Sequence, residues 1–177
     1  MKYLNHEAYV DKGRLSLLVG DDGTKHLNYF AMTLPKTRKL FACFSPDRGL
    51  SAFCRRHDEA FAHLGGVPRE IWYAPSFLIV TTGPNRITIR EGLQAYASEQ
   101  GFLVRLIPLH RLTGPARPEY GLRHLCRTAA SRRWASVDEL NRALRNNFLI
   151  RETGVAASPR DIPRAAARAR RQAHVQD

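Results

Sequence analysis

Three strand-forming runs joined by short turns, then one amphipathic helix pattern, open this sequence, and that order leaves few folds open to it. Ala8 to Val19 is rich in β-formers and stops at Gly20-Asp21-Asp22-Gly23, a cluster suited to a tight turn. The chain returns through Lys25 to Leu34, is punctuated by Pro35, and resumes with Lys39 to Phe44 before Ser45-Pro46. These runs read as an antiparallel meander. From about Arg48 to Leu64, Leu50, Phe53, Cys54, His57, Phe61 and Leu64 recur at three and four residues. That is the spacing of a helix with one buried face, and Gly65-Gly66 ends it. Glu70 to Tyr73, reached after a helical crossover, is expected to run parallel to the first strand.

Ala74 to Asn85 has no period and holds Pro75, Gly83 and Pro84, which predicts a loop over the sheet edge, with room for a short strand at Phe77 to Thr81. Thr88 to Gln100 reads as a helix closed by Gly101, and Phe102 to Ile107 as a short apolar strand. Pro108 to Pro118 is a Pro/Gly-rich basic loop, and Pro118 suits the first turn of a following helix. Ser136-Val-Asp-Glu139 resembles a capping box opening a helix through about Asn147. Beyond Arg151, Pro159, Pro163 and the Ala/Arg alternation from Ala165 to Arg171 leave little to bury. With 177 residues and 44% hydrophobic content, the chain is expected to form one domain, residues 1–148, followed by a basic, disordered tail, residues 149–177. The resulting β-β-β-α-β-α-β-α order is that of an α/β, ribonuclease H-like fold: a three-stranded antiparallel meander, then alternating helices and parallel strands, here with an extra C-terminal helix and tail.

Lys and Arg number 28 against 16 Asp and Glu, a formal net charge of +12, so a polyanion is the natural partner. Membrane surface is the competing polyanion. No stretch approaches the ~20 apolar residues that span a bilayer, and Met1 to Val10 lacks the apolar segment of a secretory signal, so a soluble, cytoplasmic protein is expected. Cys43, Cys54 and Cys126 form no C-x-x-C pair and read as reduced, mostly buried thiols. His6, His26, His57, His63, His110 and His124 are scattered rather than spaced as ligands, and Trp72 and Trp134 read as packing residues.

Two carboxylates stand out from their surroundings. Asp11 interrupts the apolar first strand, where Asp has low propensity, although an exposed Asp paired with a neighbouring cation would look the same in sequence. Glu119 is the only carboxylate between Gln100 and Val137, a span holding Arg105, Arg111, Arg117, Arg123, Arg127, Arg132 and Arg133. A helix-start Glu stabilised by the helix dipole is the structural alternative there.

Tyr9-Val-Asp-Lys-Gly, Lys25-His26 followed by Phe30-Ala-Met-Thr-Leu-Pro35, Phe53 to Ala62, and Gly65-Gly-Val-Pro-Arg-Glu-Ile-Trp-Tyr73 together resemble transposases of the IstA type from bacterial insertion sequences, which carry a retroviral-integrase-like catalytic core. The resemblance covers about residues 7 to 148 and is firmest before Tyr73. It implies metal-dependent DNA strand transfer by acidic residues holding Mg²⁺, with Mn²⁺ as a substitute, because hard cations take oxygen ligands and two of them activate the attacking and leaving oxygens. The first catalytic, metal-binding Asp of the family falls on Asp11. The strand after Gly-Gly-Val-Pro ends Tyr-Asp-Asn in the family but Tyr73-Ala74-Pro75 here, so the second acidic position is Ala74. No Asp or Glu occurs from Ile71 to Arg90, and Glu70 lies about 13 Å back along the strand. Ala116-Arg117-Pro118-Glu119 aligns with the third motif and places the third catalytic, metal-binding residue at Glu119, although Leu112 to Pro115 depart from the family's polar, basic loop.

The resemblance therefore implies a truncated, degenerate catalytic core that binds DNA but is not expected to catalyse strand transfer, and whose metal binding is expected to be weak or lost. Arg111, Arg117, Arg123 and Arg127 are the candidate DNA-binding residues around the site edge. Expected partners are DNA, both insertion-sequence ends and target, with an AAA+ ATPase helper and transposase protomers as further family partners. The family adds a helix-turn-helix region before this core and a small domain after it; 177 residues hold neither, so complete transposition is not expected. Two alternatives stand beside this reading: a non-catalytic DNA-binding protein, and a protein that inhibits an intact transposase by joining its oligomer.

Overall fold

In the computed structural model the described residues are 2–21, 23–83, 86–108, 126–127 and 129–152. The meander is present: β1 (Tyr3–Leu18), β2 (Thr24–Leu34) and β3 (Lys39–Ser45) pair antiparallel in sequence order. The helix α1 (Gly49–Leu64) then crosses over to β4 (Val67–Tyr73), which lies parallel to β1. Gly65, at φ 84°, ends α1 by donating its N–H to Phe61 O, a left-handed position that glycine takes without a Cβ penalty. After a β5 (Val80–Gly83) and β6 (Arg86–Ile89) hairpin, α2 (Glu91–Gln100) leads to β7 (Leu103–Leu106), parallel to β4. The main sheet has the order β3-β2-β1-β4-β7. The final described helix is α3 (Val137–Glu152).

Strand alternation gives this sheet two apolar faces. Ala8, Val10, Phe30, Met32, Phe41, Cys43, Ile71 and Tyr73 pack against α1 and α2. Leu17, Val19, Leu27, Ala31, Ala42 and Phe44 pack on the opposite side against Ala129, Trp134, Leu140 and Leu144. Trp134 is a packing residue, as its sequence context predicts: it is buried, its indole N–H donates to Ala129 O at 2.8 Å, and its backbone bonds to Leu18 and Gly20. Asn141 of α3 grips the outer strand at both polar groups of one residue, accepting from Phe44 N at 2.8 Å and donating to Phe44 O at 2.9 Å.

Three expectations need correction. β1 begins at Tyr3, ahead of the expected Ala8, because Tyr3 and Leu4 pair with Val67 and Pro68 of β4, a partner that local alternation does not reveal. For the same reason β4 begins at Val67 rather than Glu70. Thr88 and Ile89 are strand, not helix: the β-branched run Ile87-Thr88-Ile89 pairs back onto Val80 to Thr82, and α2 starts only at Glu91. The Ser136 cap does form, with its Oγ accepting from Glu139 N at 3.1 Å, but the Glu139 carboxylate reaches past the cap to Ala135 N at 2.6 Å. The expected basic loop, most of the helix after Pro118 and nearly all of the tail lie outside the described residues. Among the described residues no helix is long and apolar enough to cross a membrane.

Candidate functional site

The site begins with strand register. Val10 of β1 pairs with Tyr73, the last residue of β4, so one further residue on each strand sets Asp11 beside Ala74. Both line a small open pocket of about 180 Å³ with Val10, Lys12, Tyr73, Pro75 and Ser76. Asp11 is exposed, and its Oδ1 accepts from Lys12 N at 2.7 Å. Alternation places Asp11 on the same side of the sheet as Tyr9 and its paired neighbour Ala31. The helical turn at Cys126 and Arg127 lies on that side too: burial pushes the Cys126 thiol up, and the Asp11 carboxylate adds to the effect. Arg127 is exposed there.

Tyr73 fixes the end of β4 from below. Its hydroxyl donates to His57 Nε2 at 2.8 Å, and His57 Nδ1–H donates to Phe53 O at 2.9 Å, which makes the imidazole neutral with a defined tautomer. Both residues are buried; His57 is ringed by Phe30, Phe53, Phe61, Tyr96 and Phe102, and Tyr73 packs against Phe53. Burial pushes His57 down to about 4, so it is uncharged at neutral pH. It is a core histidine, not a ligand, in line with its sequence context.

Lys12 lies on the core side of β1, where the row of apolar residues ending at Val10 would continue. β1 runs on beyond the end of β4, which leaves Lys12 in the gap under residues 74–79. Its ammonium stands 5.6 Å from the centroid of the exposed Phe77 ring, and desolvation lowers its pKa against the opposing pull of Asp11. Among the described residues that ammonium makes no hydrogen bond. The turn above is held by Ile79 N and Val80 N donating to Ser76 O, and by Arg90 Nε donating to Phe77 O. Ser76 Oγ is shut away from solvent with no hydrogen-bond partner among the described residues.

Asp11 and Ala74 thus lie side by side at the ends of neighbouring strands. Glu119, Arg111, Arg117 and Arg123 lie outside the described residues. Glu70 cannot stand in for the missing carboxylate: it is bound to Arg105 of β7 at 3.0 Å, and that guanidinium holds its carboxyl below the usual range. Sequence reasoning does not single out Lys12, Ser76 or Arg90. A usable signal exists for Lys12, since strict alternation puts a lysine on the apolar face directly after Val10.

The described residues do not fit a divalent metal. No group of three His, Cys, Asp or Glu side chains able to hold one occurs among them. The pocket lining offers one carboxylate, Asp11, with Ala74 and Pro75 beside it and Lys12 on the other face of β1, and a single carboxylate is too few oxygen ligands for Mg²⁺.

No protein-family model matches the sequence, and a search of curated proteins finds no match. Solved structures do match in shape. The HTLV-2 integrase catalytic core domain in complex with magnesium, in its dimeric form, has a TM-score of 0.53 at 9% identity, covering 79% of this chain and 82% of that one. The trimeric form of the same domain with magnesium gives 0.50 at 12% identity, over 88% and 90%. A simian T-cell lymphotropic virus intasome in complex with PP2A regulatory subunit B56 gamma gives 0.45 at 15% identity; the match covers 65% of this chain and 34% of that one. At these identities the two HTLV-2 cores establish the fold alone: a mixed α/β, ribonuclease H-like, integrase-type core.

Proposed function

We propose that this chain is the catalytic-core remnant of an IstA-type DNA transposase, one that binds nucleic acid and no longer performs strand transfer. The observation that carries the reading is the register placing Ala74 beside Asp11, where the second metal-binding carboxylate of the family would stand. Clustered catalytic groups act as a unit, so losing one carboxylate costs far more than a third of the activity. Asp11 and Glu119 are the surviving acidic positions, and residues 1–148 form the core with 149–177 as a basic tail. DNA is the partner that a net charge of +12 fits, through Arg111, Arg117, Arg123 and Arg127. In this reading Mg²⁺ or Mn²⁺ binds weakly or not at all, and an AAA+ helper ATPase or transposase protomers are partners inherited from the family. The Lys12 ammonium in the pocket favours, as a second reading, a non-catalytic DNA-binding protein.

The test is strand cleavage and strand transfer on labelled DNA with Mg²⁺ or Mn²⁺, comparing the chain with its Ala74→Asp, Pro75→Asn variant. Cutting by the restored variant alone supports the reading. Cutting by the unaltered chain overturns it, and inactivity of both leaves binding as the function.

A further inference from the structure

We propose that Lys12, together with Ser76, forms a metal-free phosphate site at the end of β4, in which an ammonium and a hydroxyl hold a phosphodiester. The proposal deepens the nucleic-acid-binding reading and rests on it for the source of the phosphate.

Two features of the pocket, and one of the turn above it, point to an oxyanion. The Lys12 ammonium has three donors and no acceptor, makes no hydrogen bond among the described residues, and stands 5.6 Å from the centroid of the Phe77 ring. Ser76 contributes a second unsatisfied donor to the same lining. A buried hydroxyl without a partner carries a desolvation penalty that a ligand oxygen relieves. Third, Arg90 is tied by its Nε to Phe77 O, which brings a second cation to the same turn. The opposing charge is Asp11, whose side chain leaves β1 on the other side of the sheet from Lys12. An ammonium is a compact point charge suited to one phosphate oxygen, so the pocket needs no metal to neutralise a phosphate.

The experiment is residue-resolved lysine acylation of the full chain, read by mass spectrometry, with inorganic phosphate or a short DNA duplex added, each in EDTA and in Mg²⁺. Fluorescence anisotropy of the labelled duplex runs alongside. The expected result is slower acylation of Lys12 with either ligand, equal in EDTA and Mg²⁺. Lys12→Met should weaken duplex binding about tenfold in EDTA. Lys12→Arg should keep most of the affinity, and Ser76→Ala should fall between. Circular dichroism of each variant checks folding. Protection by inorganic phosphate without duplex binding supports the oxyanion site and overturns the nucleic-acid reading. Duplex binding that leaves Lys12 acylation unchanged overturns the phosphate site and spares that reading. Protection that appears only with Mg²⁺ also overturns the site.

Discussion

The Tyr73 hydroxyl and His57 Nε2 meet over 2.8 Å in the core, one residue before the chain reaches Ala74. Because His57 is itself fixed to Phe53 O, the bond sets the height of the β4 end against α1. Tyr73→Phe would leave the imidazole nitrogen buried without its donor. A destabilisation of about 1–3 kcal/mol is expected from urea unfolding. An unchanged midpoint would mean that the bond contributes nothing net.

Acid should loosen the same pair. His57 is pushed down to about 4 from its ordinary 6.5, so between those values the unfolded chain binds a proton that the folded chain refuses. The contribution is fully present above pH ~6.5 and is lost as pH falls toward ~4. Between pH ~7 and ~5 the folded state should lose about 2 kcal/mol from this group. Urea midpoints at both pH values, compared with a His57→Leu, Tyr73→Phe double variant, isolate it. An equal loss in the double variant would assign the pH dependence to other groups.

Asn141 predicts a stability effect far from the pocket. Its amide serves both polar groups of Phe44, so Asn141→Leu strands a donor and an acceptor at once. The expected cost is about 1–3 kcal/mol, with faster hydrogen exchange at the Phe44 amide. Asn141→Asp retains only the acceptor and should recover part of the protection.

The arginine cluster is tested by salt. Replacing Arg111, Arg117, Arg123 and Arg127 with Ala should flatten the dependence of log affinity on log salt by about 0.9 for each phosphate no longer neutralised. Fluorescence anisotropy between about 50 and 200 mM salt measures the slope. The same slope and affinity in the fourfold variant would remove these residues from the interface.

Local pattern carries most of the fold. The meander and α1 are legible because Pro35, Ser45-Pro46 and Gly65-Gly66 punctuate runs with clear periods of two and 3.6. The first residues of β1 and β4 are not, since Tyr3 pairs with Val67 across a long sequence gap, and a register of that kind leaves no local trace. The Arg86–Ile89 strand is hidden by its short length and by continuity with α2. At the site, the resemblance singles out Asp11 and Ala74 in sequence, whereas the half-burial of Lys12 follows from β1 outrunning β4, a fact of three dimensions.

The Asn141 grip on Phe44 has a consequence for solubility. β3 is a margin of the sheet, and a strand margin with bare peptide groups can recruit a strand from another molecule. A side-chain amide that imitates the missing neighbour occupies that margin and denies it to a passing chain. The opposite margin, β7, is only four residues long and bears the charged pair Arg105 and Glu70 at its side, which suits it poorly to templating fibrils. Loss of Asn141 would therefore show itself first as aggregation on concentration, before any change in what the pocket binds.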